Sequence, residues 1–344
     1  MVPEKEIQSM RAMLENAENP LFFFDDDADG LSSFLTLNDW LKKGNWVVVK
    51  SRPQVSDQYL GRIDEFQPDL VVILDLAIVT EDFIENCKVP ILWIDHHVTE
   101  RKDYKHLTQF NPRKWDKEDN RSTSYWTYRI AEQGLLRAMI GIVGDWTLPD
   151  DVTKEFKKQY PHLLPKDVTK PEDALFKTKL GTLIRMVNFS MKGILSESKK
   201  AIKWLIKIQD VEELLQPESK EAQAVVEKYE GYLAEYNKLL KKAPKSDNGL
   251  IYFHYKDENN SFTSELSNEL VAHNPDDFVM VCREVEEGVT CSLRGPEDVL
   301  GKLQKALEGV DGYGGGHVLA CGCHIKKDDF KLFFTSYKAQ IGPK

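Results

Sequence analysis

Short apolar runs alternate with amphipathic stretches along the first hundred residues. Leu21–Phe24, Trp46–Val49, Leu70–Leu74 and Ile91–Ile94 are short, rich in β-branched or aromatic residues and followed by polar ones, the pattern of strands buried on both faces. Ile7, Met10 and Leu14 stand at helical spacing in an opening helix over 3–17, which Asn19 and Pro20 stop. Segments between the apolar runs, such as Leu31–Lys42, suit helices, and the alternation predicts a mainly parallel α/β sheet. From Val152 to Leu215 the pattern turns helical, with Leu183, Met186 and Val187, then Ile202, Leu205 and Ile206.

A long helix follows, with Ala222, Val225, Tyr229, Tyr232, Tyr236 and Leu239 on one stripe and Pro244 closing it. The pattern then restarts. Leu250–Tyr255, Phe278–Glu284 and Val289–Arg294 read as strands, Ser264–His273 and Pro296–Leu307 as helices, and Phe330–Tyr337 as a final amphipathic stretch. The predicted organisation is an α/β domain with its helical segment over 1–215, a helical linker over 216–246, and a smaller α/β domain over 247–344.

Composition narrows the class. No apolar run nears the ~18 residues of a membrane span, and no basic-then-apolar leader opens the chain, so a cytoplasmic protein is expected. Five cysteines, an odd number, argue against a disulfide framework. Cys321 and Cys323 have no second pair and read as small buried side chains rather than a zinc site. A formal net charge of −10 speaks against a protein that coats long duplex DNA. Lys199 and Lys200, and Lys241 and Lys242, read as solvated helix faces.

The acids are not scattered. Leu21–Phe24 runs into Asp25, Leu70–Leu74 into Asp75, and Ile91–Ile94 into Asp95, His96 and His97. Ligands of parallel sheets bind beyond the carboxyl ends of strands, so these clusters should share one sheet edge. In FFFDDDADG, Asp25, Asp27 and Asp29 alternate on a tight loop, a donor pattern suited to hard divalent cations, though an acidic surface turn reads the same way. Adjacent His96 and His97 point apart, so one can ligate a cation while the other faces substrate. Asp75 is a helix cap or surface acid if it stands alone, as Gly144–Asp145 is a turn. Taken together they suggest a two-metal hydrolytic site, for which oxygen and imidazole donors favour manganese, with magnesium or cobalt also able to serve.

The motifs resemble those of the DHH phosphoesterase superfamily, with DDDADG, Asp75, Asp95–His97 and Gly144–Asp145 in the matching order and spacing. Phe23 stands where several relatives carry an earlier histidine, which aligns the first motif with the Asp-rich RecJ-like version. VTCSLRG at 289–295 and GGGHVLACG at 314–322 resemble the associated C-terminal domain of RecJ-like and NrnA-like enzymes, although Tyr313 replaces a fourth glycine. The resemblance implies two manganese ions held by Asp25, Asp27, Asp29, Asp75, His96 and Asp145, with His97 near the scissile phosphate and Asp95 supporting it. It implies that Arg294, Gly314, Gly315, Gly316 and His317 bind a phosphate or nucleotide of the substrate, in a cleft between the domains. Without it, the glycine run would be a loop and His317 a helix-start residue.

The expected activity is a phosphodiesterase releasing mononucleotides from short single-stranded RNA or DNA. The alternatives are a small-nucleotide phosphatase for substrates such as adenosine bisphosphate, a cyclic-dinucleotide phosphodiesterase, and a non-catalytic RecJ-like replication scaffold. A homodimer or a replication-protein partner is a further expectation. No role is assigned to 151–215 or to Asp26.

Overall fold

The computed structural model describes residues 2–50, 54–256 and 260–342. Strands β1 (Pro20–Asp25), β2 (Asn45–Val49), β4 (Leu70–Leu74), β6 (Ile91–Ile94) and β7 (Leu107–Phe110) form one parallel sheet, while β3 (Gln54–Val55) and β5 (Ile78–Val79) pair apart from it. Its order is β2-β1-β4-β6-β7, so the chain winds outward in both directions from between β1 and β4. Such a switch point opens a crevice at the carboxyl ends of the two strands.

The apolar runs are continuous because both faces of the sheet are covered. Leu21, Phe23, Val71, Ile73, Ile91 and Trp93 pack on one face with Phe83 and Ile84 of α4 (Glu81–Asn86), and α3 (Leu60–Phe66) lines the same layer. The alternate residues turn to α2 (Ala28–Leu41), where Phe24 stacks on Phe34 at 4.4 Å. Helices α1 (Glu4–Asn16), α5 (Thr123–Ala131) and α6 (Leu135–Gly144) complete that side. Ile7, Met10 and Leu14 are buried as their spacing predicts.

Register is what assembles the edge. Phe24 pairs with Leu74, Leu74 with Ile94, and Ile94 with Phe110. The next residues on the first three strands are Asp25, Asp75 and Asp95, one per strand on neighbours about 5 Å apart.

The segment expected to be helical contains α7 (Asp150–Gln159), α8 (Pro171–Lys177), α9 (Lys179–Ser190) and α10 (Leu195–Lys207), followed by α11 (Lys220–Leu240). The chain divides into two compact units, Met1–Tyr229 and Glu230–Lys344, with the boundary inside α11.

The second unit has its own five-stranded sheet, β11-β12-β10-β9-β8, from β8 (Leu250–Lys256), β9 (Phe278–Val285), β10 (Gly288–Arg294), β11 (Gly312–His317) and β12 (Ala320–Ile325). Only β8 and β9 run parallel. Helix α12 (Thr263–His273) packs against β9 and β10, while α13 (Val299–Ala306) and α14 (Phe330–Ala339) join the main core of this unit. The glycine run that reads as a loop from composition alone is β11, because its backbone pairs along β12. All five cysteines are free and buried. No helix among the described residues is long and apolar enough to cross a membrane.

Candidate metal centre

The acidic loop divides its four carboxylates among different tasks. Asp25 ends β1 and accepts its neighbour's amide, from Asp26 N at 2.8 Å. Asp27 caps α2, accepting from Gly30 N at 2.9 Å, so the helix starts where the loop ends. Gly30 is needed at that turn because a Cβ would sit 2.7 Å from the backbone nitrogen and oxygen of Asp25. Asp29 lies in the first turn of α2, buried, with its two oxygens accepting from Thr123 N and Ser124 N, both at 2.8 Å. Those amides begin α5, so the positive end of a helix holds this carboxylate. Asp26 pairs instead with Lys50 at 2.6 Å, and Lys50 also donates to Met191 O at 2.9 Å. The acid of undefined role therefore ties the loop to the chain just beyond α9.

Asp75 follows β4 at φ 58, a left-handed conformation that aspartate tolerates better than most residues, and its Oδ1 accepts from Thr123 Oγ1 at 3.1 Å. Beyond β6, Asp95 clamps His97: its Oδ1 lies 2.8 Å from Nδ1 and its Oδ2 accepts the His97 amide at 3.1 Å. This fixes the imidazole with Nδ1 toward Asp95. The two rings do not point apart as expected: their centroids are 4.6 Å from each other and both face Asp75, whose Oδ1 is 3.9 Å from His97 Nδ1, but His96 reaches further carboxylates. Its Nε2 is 3.4 Å from Asp75 Oδ1, 3.7 Å from Asp145 Oδ2 and 3.9 Å from Asp29 Oδ2. Arg113 Nε and Asn111 Nδ2 hold the carbonyls of His96 and His97 at 2.9 and 2.8 Å.

Asp145 reaches the cluster from a helix, unlike the acids that follow strands. It caps the carboxyl terminus of α6. Gly144 makes this approach feasible, since a Cβ there would meet the Ala28 Cβ at 2.6 Å. Burial of α6 on every side makes its apolar run indistinguishable from a buried strand by periodicity.

Two sets of donors converge, Asp75 with His96 and His97, and Asp29 with His96 and Asp145, each with ligand atoms within 4.8 Å of one another. His96 belongs to both. Asp25 and Asp27 are outside these sets but share the field. Burial, then repulsion from Asp27 and Asp26, raises the Asp25 carboxyl well above the usual range. Burial, then Asp29 and Asp27, does the same to Asp75. Burial and then Asp29 raise Asp27. Asp145 is pushed up to about 7, chiefly by burial, with His96 pulling it down and Asp29 and Asp27 pushing it up. Burial opposes charge on His97, yet the Asp95 hydrogen bond and Asp75 lift it to about 9, and Asp145 and Asp29 likewise outweigh burial at His96.

Divalent cations fit this donor set. Gaps of 3.4 to 3.9 Å around His96 Nε2 are too long for hydrogen bonds, and ligands that share one ion stand about that far apart given metal–ligand lengths near 2.1 Å. Cations would also neutralise carboxylates that the fold otherwise drives toward protonation.

In the second unit, Arg294 and His317 pair with the same residue, Ala320, so all three share one face of the sheet. Arg294 donates to Asn268 Oδ1 at 2.7 Å and to Leu293 O at 2.8 Å, and burial pushes its guanidinium down to about 10. On the same row set lie Gly315 and Gly322, which leave the backbone open beside the exposed Gly314–His317 edge.

This fold and cluster define an α/β protein with a polyanionic, imidazole-bearing cluster at a topological switch point. Residues 21–155 match the DHH family, N-terminal domain. No curated protein sequence matches the chain. Among solved structures it is similar to manganese-bound RecJ from Thermus thermophilus, with 19% identity and a TM-score of 0.69, covering 99% of this chain and 55% of that one. It is also similar to CDC45 from Entamoeba histolytica, 9% identical at a TM-score of 0.55 over 99% of both chains. The pGpG-specific phosphodiesterase PggH from Vibrio cholerae is 14% identical at 0.50, covering 94% and 98%. At such identities the likeness establishes the RecJ-like architecture, and the chain spans just over half the length of the Thermus protein.

The residues that sequence reasoning missed are the holders. Lys50, Asn111, Arg113, Thr123 and Ser124 orient the acids and imidazoles without standing in any of the four motifs. The run Ser122–Ser124 does carry a helix-start signal that points to α5.

Proposed function

We propose that this chain is a metal-dependent phosphodiesterase that removes mononucleotides from short single-stranded RNA or DNA. The observation that carries the reading is the pair of donor sets joined through His96 at the switch point. Two divalent cations there, manganese by preference, would supply the charge that acidifies a water, orients the phosphoryl group and neutralises the leaving oxygen. Asp29, Asp75, His96 and Asp145 would hold them, with Asp25 and Asp27 completing the shell from the loop. Asp95 holds His97 in one orientation and favours its protonated form, which would donate to the phosphate and its leaving oxygen. Water adds to phosphorus, the P–O ester bond breaks, and the leaving oxygen takes a proton. In the second unit, Arg294, Gly314–Gly316 and His317 would bind a phosphate or nucleotide of the substrate, and the outer edge of β11, bare of side chains, would let an anion approach the backbone.

A second reading, a phosphodiesterase for linear or cyclic dinucleotides, draws support from the likeness to PggH. Product analysis with manganese separates the two, using a five-nucleotide strand, a dinucleotide and adenosine bisphosphate. The exonuclease reading predicts stepwise mononucleotide release from the strand, and hydrolysis of the bisphosphate alone would refute it. Asp75→Ala and His96→Ala should each abolish turnover with the fold intact. A purely structural role, as a scaffold, predicts no turnover in the unmodified protein with any divalent ion.

A further inference from the structure

The chain immediately after Asp145 carries chemistry that the metal cluster does not use. Helix α6 ends in a Schellman turn, with Thr147 N donating to Ile142 O at 3.1 Å, Trp146 N to Val143 O at 3.0 Å, and Trp146 at φ 59. Glycine is the residue this position favours, and an indole there is held against its backbone preference, as functional residues often are. The half-buried Trp146 ring stands edge-on to Phe176 of α8 at 6.0 Å, and the Arg185 guanidinium lies 5.9 Å over the Phe176 ring. An aromatic and cationic stack therefore begins one residue from a proposed cation ligand.

Two residues further on, Leu148 opens a groove of about 630 Å³, a size that suits a ligand, walled by Lys154, Lys157, Lys158 and Lys166. Lys154 faces Asp150 at 3.6 Å, and Lys157 donates to the carbonyls of Lys166 and Val168. Lys158 and Lys166 are exposed and form no ion pair among the described residues. Charge is segregated on a larger scale too. From Asp150 to Lys207, thirteen lysines and arginines stand against seven aspartates and glutamates, in a chain whose net charge is −10. A polyanion that also offers flat π-faces matches both features, and a single-stranded nucleic acid is such a molecule.

We infer that Trp146 stacks on a base beside the scissile phosphate and that the groove from Leu148 to Thr169 takes the phosphates of the strand beyond it. This rests on the phosphodiesterase reading and narrows its substrate class to oligonucleotides of several nucleotides.

The test is binding of a fluorescein-labelled strand of about ten nucleotides in EDTA, alongside manganese-dependent hydrolysis of an unlabelled dinucleotide. Lys158→Glu with Lys166→Glu should weaken strand binding about tenfold at low salt and flatten the slope of log affinity against log salt by roughly 1.4, two phosphate contacts' worth. The same variant should hydrolyse the dinucleotide at the unmodified rate. Trp146→Gly should keep or raise the melting temperature, since glycine suits that backbone, while binding the strand about tenfold more weakly. Strand binding that is absent in the unmodified protein, or equal in it and the lysine variant, overturns the inference. Dinucleotide hydrolysis persisting in that case leaves the phosphodiesterase reading standing, whereas strand binding without any hydrolysis overturns that reading alone.

Discussion

Each histidine of the Asp95–His97 run has a partner set that the other lacks. Asp95 locks His97 through Nδ1, whereas His96 Nε2 faces three carboxylates from three different elements. Two of those carboxylates, Asp75 and Asp145, are raised by burial and by neighbouring acids, and the sign of the consequence follows from linkage. Asp145 is raised to about 7 and His97 to about 9, so the folded state binds more protons than the unfolded one between pH 4 and pH 9. Stability from these groups is present at low pH and is lost as pH rises through those values. The melting temperature of EDTA-treated protein, corrected with an Asp145→Asn control, should therefore fall by several degrees from pH 5 to pH 8, and manganese should restore it at pH 8. A melting temperature independent of pH over that range would contradict the charge assignment. Asp145 was visible from sequence only through its motif, because a Gly-Asp pair has many bland uses, whereas Asp75 also stood out by following the strand run Leu70–Leu74.

Among the elements, strands β1, β2, β4 and β6 were legible because each run is short, apolar and largely buried, and three of them are followed by acid. Edge strand β7 escaped because its side chains are only partly covered and its sequence, Leu-Thr-Gln-Phe, is half polar. Strand β11 escaped because glycine carries no side-chain signal, and pairing with β12 decides its state. The contact between α6 and α2 depends on Gly144, so Gly144→Ala should overpack against Ala28 and cost about 1–3 kcal/mol in denaturant unfolding. Lys50 ties the acidic loop to the chain beyond α9 without belonging to either donor set. Lys50→Met should weaken manganese binding severalfold in calorimetry, and adding Asp26→Asn should recover part of it. Unchanged affinity in Lys50→Met would show that the loop holds its shape without the tether.

At the scale of the molecule, a doubly wound sheet places its acids at a switch point, and the second unit supplies a separate glycine-rich edge with Arg294 and His317 on one face. The two-part organisation was legible because strand patterning stops after Ile94 and restarts after 246, whereas the break inside α11 leaves no mark in a continuous helical stripe. The holders of the centre stayed hidden because backbone amides and single polar side chains gain their roles only from packing. The central claim is that the donors gathered around His96 hold two divalent cations, with His96 Nε2 a ligand to one of them. Manganese stoichiometry, measured by calorimetry on the unmodified protein and on His96→Ala, tests it most directly. Two ions per chain, with at least one of them lost or weakened in the variant, is the predicted result; no binding, a single ion, or two ions held equally well by His96→Ala would contradict it.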